Sequence, residues 1–129
     1  MNNIFKQSME VGYIFDKKYN DERTYEWSVS DKLPTMTKMT IEYAKENNVS
    51  IECALDVIMK ELFENDFDDT LEDHLWDDYC KGYLAGVMIG MPTKENLVKV
   101  RKAEKLWEDV ETYGYYQEVL DEVLGKIYY

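Results

Sequence analysis

Residues 71–90, LEDHLWDDYCKGYLAGVMIG, decide how this chain is read. Leu71, Leu75, Tyr79, Tyr83 and Val87 recur every fourth residue and draw one slowly drifting apolar face along a helix. Thr70-Leu71-Glu72-Asp73 has the capping-box form, a hydroxyl followed three residues later by an acid. The pattern predicts a helix from about Leu71 to Gly90. Gly82, Gly86 and Gly90 form a second line at the same spacing. A glycine inside a helix costs about 1 kcal/mol relative to alanine. A line of such residues predicts that another helix passes very close; the alternative is that some of them only end or loosen the helix. The spacing is best known from membrane helices, but the acidic first half of this one excludes a spanning segment.

That acidic half belongs to a longer run, Glu61 to Cys80. It holds nine carboxylates, Glu61, Glu64, Asp66, Asp68, Asp69, Glu72, Asp73, Asp77 and Asp78, with no Lys or Arg, in a chain whose net charge is −12. Phe63, Phe67, Leu71, Leu75, Trp76 and Tyr79 are threaded between the acids. A disordered acidic tail would lack such residues. The run reads as a folded acidic surface pinned to a core.

Working outward, Pro34 closes a first section, and a helix is expected from about Thr35 to Glu46, with Met36, Met39, Tyr43 and Ala44 on one face. Asn47-Asn48 breaks it, since Asn tolerates the left-handed conformation of a helix end. Ser50 suits the N-cap of the next helix, which carries Ile51, Ala54, Leu55, Ile58, Met59 and Leu62 at helical spacing. This pair could suggest a DNA-reading helix-turn-helix, but Glu52, Asp56 and Glu61 against Lys60 argue otherwise. Beyond residue 90, Pro92 and Thr93 suit a helix start. That helix is expected to reach about Tyr113, through Leu97, Val100, Trp107 and Val110, with Gly114 just past its end. A last helix follows from Tyr115 to about Ile127. Residues 81–105 carry six basic and two acidic side chains, a local reversal of sign.

Residues 1–32 are read first as a β-hairpin, because Val11, Tyr13 and Phe15 alternate and so do Tyr25, Trp27 and Val29. The alternative is a helix over residues 2–18 carrying Ile4, Phe5, Met9 and Phe15. The expected architecture is mainly α: one domain spanning residues 1–129, with a helical body from 35 onward. It is a compact bundle of four to five helices, with room for a small N-terminal hairpin.

Composition narrows the function classes. A pI near 4.4 argues against direct nucleic-acid binding and against docking on anionic membranes, and favours a basic protein partner. A homodimer is also open. No run approaches the ~18 apolar residues of a membrane helix. The start, MNNIFKQSMEV, lacks the apolar core of a signal peptide. Cys53 and Cys80 make no C-x-x-C pair. A cytoplasmic protein with reduced thiols is expected, with both cysteines buried in amphipathic helices.

The acids invite chemistry that the spacing does not support. His74 and Asp78 stand four apart and could supply two metal ligands, but no further cluster joins them, and a surface histidine is the plainer reading. Counting a calcium loop from Asp66 puts Leu71 where the sharp-turn glycine belongs and Asp77 where a bidentate Glu belongs. No nucleophile or oxyanion element accompanies the carboxylates, so neither enzyme, metal nor cofactor is expected. Asp69, Glu72 and Asp73 at a helix start have an ordinary explanation in the macrodipole. The line Asp69, Asp73, Asp77 does not: like charges four apart destabilise a helix by about 0.2–0.5 kcal/mol each. Four residues rise ~6 Å along a helix, on the order of the charge spacing along a nucleic-acid strand.

Leu106-Trp107-Glu108-Asp109-Val110-Glu111 and the Tyr- and acid-rich sequence after it are similar to the C-terminal acidic helix of the T7-type anti-restriction protein, one of the small phage-encoded DNA mimics. The resemblance covers under a fifth of the chain. It implies a non-enzymatic inhibitor of phage type. The weaker acidity and the basic segment suit a protein with one acidic face, of anti-CRISPR or other anti-defence kind, better than a full mimic. It would act in the bacterial host cytoplasm. The partner-binding face is then Glu64, Asp66, Asp68, Asp69, Glu72, Asp73, Asp77 and Asp78, set in the basic nucleic-acid groove of a defence nuclease. The rival expectation is a helical regulatory or assembly subunit. It would bind through Trp107, Tyr113, Tyr115, Tyr116, Tyr128 and Tyr129, with the acids only solvating it.

Overall fold

The structure is a computed structural model that describes residues 3–27, 32–65, 67 and 73–104, with side chains at all of these except 73–77 and 103–104. Among the described residues five helices follow one another: α1 (Asn3–Lys18), α2 (Lys32–Asn47), α3 (Ile51–Glu64), α4 (Asp73–Met88) and α5 (Lys94–Glu104). Among the described residues there is no strand. The fold is a compact all-α bundle.

The first surprise is α1, where the hairpin reading fails and the helical alternative holds. Phe5, Ser8, Met9, Gly12 and Phe15 are buried, which is a three-four repeat. The apparent alternation of Val11, Tyr13 and Phe15 arises because Val11 and Phe15 sit one helical turn apart on the buried side, while Tyr13 is half-buried. Lys17 and Lys18 occupy the last turn, where positive charge suits the helix dipole. After α1 the chain makes successive turns: Thr24 N–H donates to the Asp21 carbonyl at 3.1 Å and Trp27 N–H to the Thr24 carbonyl at 2.9 Å. Tyr25 points to solvent while Trp27 packs inward, so these two residues do not behave as same-face strand positions. Val29 lies outside the described residues.

α2 starts three residues earlier than predicted. Pro34 is its third residue, in the first turn, where no intrahelical partner awaits a backbone N–H. Thr37 and Thr40 are buried in its middle, and each hydroxyl donates to the carbonyl one turn back, Leu33 at 2.7 Å and Met36 at 2.9 Å. Asn48 adopts φ 51 and ends the helix, with the Val49 N–H returning to the Ala44 carbonyl at 3.1 Å. Ser50 then caps α3 by accepting from the Cys53 N–H at 3.1 Å. The buried face of α3 is the predicted one: Ile51, Ala54, Leu55, Ile58, Met59 and Leu62. At α5, Thr93 accepts from the Asn96 N–H at 3.2 Å.

The centre of the bundle is the α1–α4 pair, which makes the most extensive contact between elements. Glycines make it possible. A Cβ on Gly86 would collide with the Met9 carbonyl oxygen and stand 2.9 Å from the Tyr13 nitrogen. A Cβ on Gly82 would stand 2.5 Å from the Ser8 Cβ and 2.8 Å from the Phe5 carbonyl oxygen. Gly12 answers from α1, its missing Cβ leaving room for the Tyr83 carbonyl. Gly82 and Gly86 thus do what the spacing predicted. Gly90 takes the other reading: it has φ +128 just beyond α4 and ends the helix. A main core gathers α1 to α4 around Phe15, Met36, Leu55, Met59 and Leu84. A smaller one, Phe5, Met9, Ala85 and Val100, seats α5 on α1 and α4.

Candidate functional site

The acidic stretch connects α3 to α4, so both of its ends are built into the core. At one end Leu62 is buried and Phe63 half-buried, while Glu64 faces solvent. Asn65 closes α3, its backbone N–H donating to the Glu61 carbonyl at 3.0 Å. At the other end Tyr79 and Cys80 are buried. Phe67 holds the connection in between. Its ring meets Trp27 edge-on at 5.2 Å between centroids, and the Lys32 ammonium lies 4.4 Å from its centre. The same ammonium donates to the Phe67 carbonyl oxygen.

Trp27 is the hub of this anchor. It also packs against Phe63 at 6.0 Å and stacks on Phe15 at 6.3 Å, and Phe63 in turn carries the Arg23 guanidinium at 4.4 Å. Aromatic pairs of this kind add about 0.5–1.5 kcal/mol beyond the area they bury. The aromatics interleaved with acids at 63 and 67 therefore belong to the body of the protein.

Of the predicted face, Glu64 is exposed and Asp78 is half-buried. Asp73 and Asp77 lie one turn apart in the backbone of α4, and their side chains are outside the described set. Asp66, Asp68, Asp69 and Glu72 lie outside the described residues, as do Trp107, Tyr113, Tyr115, Tyr116, Tyr128 and Tyr129. The His74 side chain and the segment counted as a calcium loop, apart from Phe67 and the α4 backbone, fall outside them too. Among the described residues no three of His, Cys, Asp and Glu gather as metal ligands would.

The fold adds acids that the linear reading did not assign to the face. Burial raises the Tyr79 hydroxyl, and the charges of Glu42 and Asp78 raise it further. Acids of α2 and α4, two helices in contact, thus both act on this one phenol. Glu42 is partly offset by Lys38 at 3.7 Å. On the outer side of α3, Glu52, Asp56, Glu61 and Glu64 are exposed beside Lys60. Part of this side is already engaged: Lys18 reaches Asp56 at 2.7 Å and Glu52 at 3.6 Å, and the Tyr19 hydroxyl donates to Asp56 at 2.6 Å. The Lys18 hydrogen bond, then that of Tyr19, holds the Asp56 carboxyl below its ordinary range. Glu10, half-buried on α1, is raised by burial and then by the Glu52 charge. Only helix packing joins these acids, so no spacing rule along the chain could have found the set.

The cysteines part company. Cys80 is buried as expected, whereas Cys53 is exposed on the outer side of α3. Its amphipathic surroundings misled because Ala54 and Leu55, its neighbours in sequence, are the residues that face the core.

Taken together, the described region offers dense negative charge, one half-engaged carboxylate network and an aromatic anchor. Such an arrangement can bind cations or basic surfaces by long-range attraction. No helix among the described residues is long and apolar enough to cross a membrane. No protein-family model matches the chain, and no characterised protein or solved structure matches it.

Proposed function

We propose that the protein is a non-enzymatic binding protein whose acidic face occupies the basic nucleic-acid groove of a protein partner. One observation carries this reading. Nine carboxylates and no basic side chain occupy residues 61–80, and that stretch is tied to the core through Leu62, Phe67, Tyr79 and Cys80. A tethered array loses less conformational freedom on binding than a free acidic tail would. Carboxylates at helical spacing offer a basic groove a substitute for phosphates. Inhibition of a nucleic-acid-binding defence nuclease is the role this chemistry fits, and the resemblance of residues 106–111 to anti-restriction proteins implies the same.

The test is capture of partners from a bacterial lysate at low and raised salt, with wild type beside the triple variant Asp69→Asn, Asp73→Asn, Asp77→Asn. The captured protein should be lost in the variant, released by salt and displaced by added DNA. If the variant retains the same partner at both salt levels, the acidic-groove reading is wrong.

A further inference from the structure

A cavity of about 210 Å³ opens beneath Tyr25, between the turn after α1 and the packed faces of α2 and α4. Its walls include the rings of Phe15, Trp27 and Tyr83 and the side chains of Leu33 and Leu84. The rings are set at angles: Phe15 and Trp27 lie 23° from parallel, and Phe15 and Tyr83 meet at 63° with centroids 5.8 Å apart. An aromatic guest would find both a face and an edge to pack on. At about 210 Å³ the space has room for a single substituted ring. Tyr25, at its rim, is 76% exposed, which puts the opening at the surface.

The polar lining is selective. Thr24 is committed: its hydroxyl donates to the Tyr19 carbonyl at 2.7 Å. Asn20 uses its amide N–H on Asp16 at 2.8 Å. Tyr83 is different. It is only 5% exposed, it lines the cavity, and among the described residues its hydroxyl has no hydrogen-bond partner. Burial raises this phenol strongly, and the nearby Asp16 charge raises it further, so the hydroxyl keeps its proton and serves as a donor. A guest that brings an acceptor would take this donor in place of solvent, a net gain of about 0.5–1.5 kcal/mol. The Asp16 charge felt at this phenol and the net charge of −12 turn anions away.

We propose that this pocket binds a small, uncharged, single-ring aromatic molecule, packed among Phe15, Trp27 and Tyr83 with its hydrogen-bond acceptor on the Tyr83 hydroxyl. The site is separate from the acidic face and does not rest on the function proposed above.

The test is a titration of the full chain with ethylbenzene, acetophenone and benzoate, followed through the NMR signals of the Trp27 indole N–H and the Leu84 methyls. Ethylbenzene and acetophenone should give saturable shifts and benzoate none. Acetophenone should bind about three- to tenfold more tightly, the worth of one net hydrogen bond. Tyr83→Phe should bring acetophenone down to the affinity of ethylbenzene, and Val87→Phe, which puts a ring at the cavity wall, should weaken both about tenfold or more. Absence of saturation with both neutral probes would overturn the proposal, as would an acetophenone preference that survives in Tyr83→Phe. Tighter binding of N-acetylphenylalaninamide than of acetophenone would also overturn it, because the pocket would then be a socket for another protein's side chain.

Discussion

Gly86 of α4 and Met9 of α1 meet backbone to backbone: a side chain of even one carbon on Gly86 would run into the Met9 carbonyl. The whole α1–α4 seam is keyed by this contact and by its reciprocal, Gly12 against the Tyr83 carbonyl. Gly86→Ala should therefore destabilise the fold by about 1–3 kcal/mol despite alanine's better helix propensity, and Gly86→Leu by more. Urea unfolding of the variants measures this. An unchanged midpoint for Gly86→Leu would mean that the two helices do not pack as described.

Ser8 lies in the same seam, wholly buried, and among the described residues its hydroxyl oxygen has no hydrogen-bond partner. The close approach of Gly82 leaves no space around it for a longer side chain. Ser8→Ala removes the unsatisfied oxygen, keeps the small volume and improves helix propensity. It should stabilise the protein by about 0.5–2 kcal/mol, seen as a higher thermal midpoint. A lower midpoint would show that the hydroxyl is bonded after all.

Tyr83 should govern part of the alkaline limit. Its folded pKa is raised, so the folded chain holds this proton more tightly than the unfolded chain does. The stability it contributes is complete below the ordinary phenol value of about 10 and is lost as pH rises beyond it. Wild type should lose stability between neutral pH and strong alkali more steeply than Tyr83→Phe. Spectrophotometric titration of the phenols at alkaline pH should show one tyrosine ionising only as the protein unfolds.

Asp56 should act at the other end of the pH scale. Its folded carboxyl is lowered by Lys18 and Tyr19, so its contribution is present above the ordinary carboxylate value of about 4 and lost as pH falls through the lower folded value. Asp56→Asn should flatten the acid side of the stability profile. Lys18→Met should act in the same direction and leave a smaller residue of the effect, held by Tyr19 alone. Chemical unfolding across pH 2 to 7, taken here as roughly the carboxylate range, reads both.

Sequence periodicity determined a good deal here. It located the face of α3, the buried Tyr79 and Tyr83 of α4, the Ser50 cap, the break at Asn47-Asn48 and the close helix contact at Gly82 and Gly86. Each of these depends on residues within a turn or two of one another, and that is the range over which helical spacing carries information. It went astray at α1 because three alternating residues, Val11, Tyr13 and Phe15, also contain a pair one helical turn apart. Five residues of that length do not separate the two periods; Phe5, Met9 and Gly12 do.

What only the tertiary structure decided is everything that joins distant positions. The glycine line announced a neighbour, but it was packing that chose α1 and matched Gly12 to Tyr83. Lys18 and Tyr19 meet Asp56 across 38 and 37 positions of chain. Trp27 anchors Phe67, and the charges of Glu42 on α2 and Asp78 on α4 both act on Tyr79. The charge and apolar pattern of one helix states how much it must bury and repel. It does not state against which helix, because burial of apolar surface is non-directional and many pairings satisfy it equally. The choice falls to shape: α1 and α4 come together because Gly12, Gly82 and Gly86 allow the two backbones to touch.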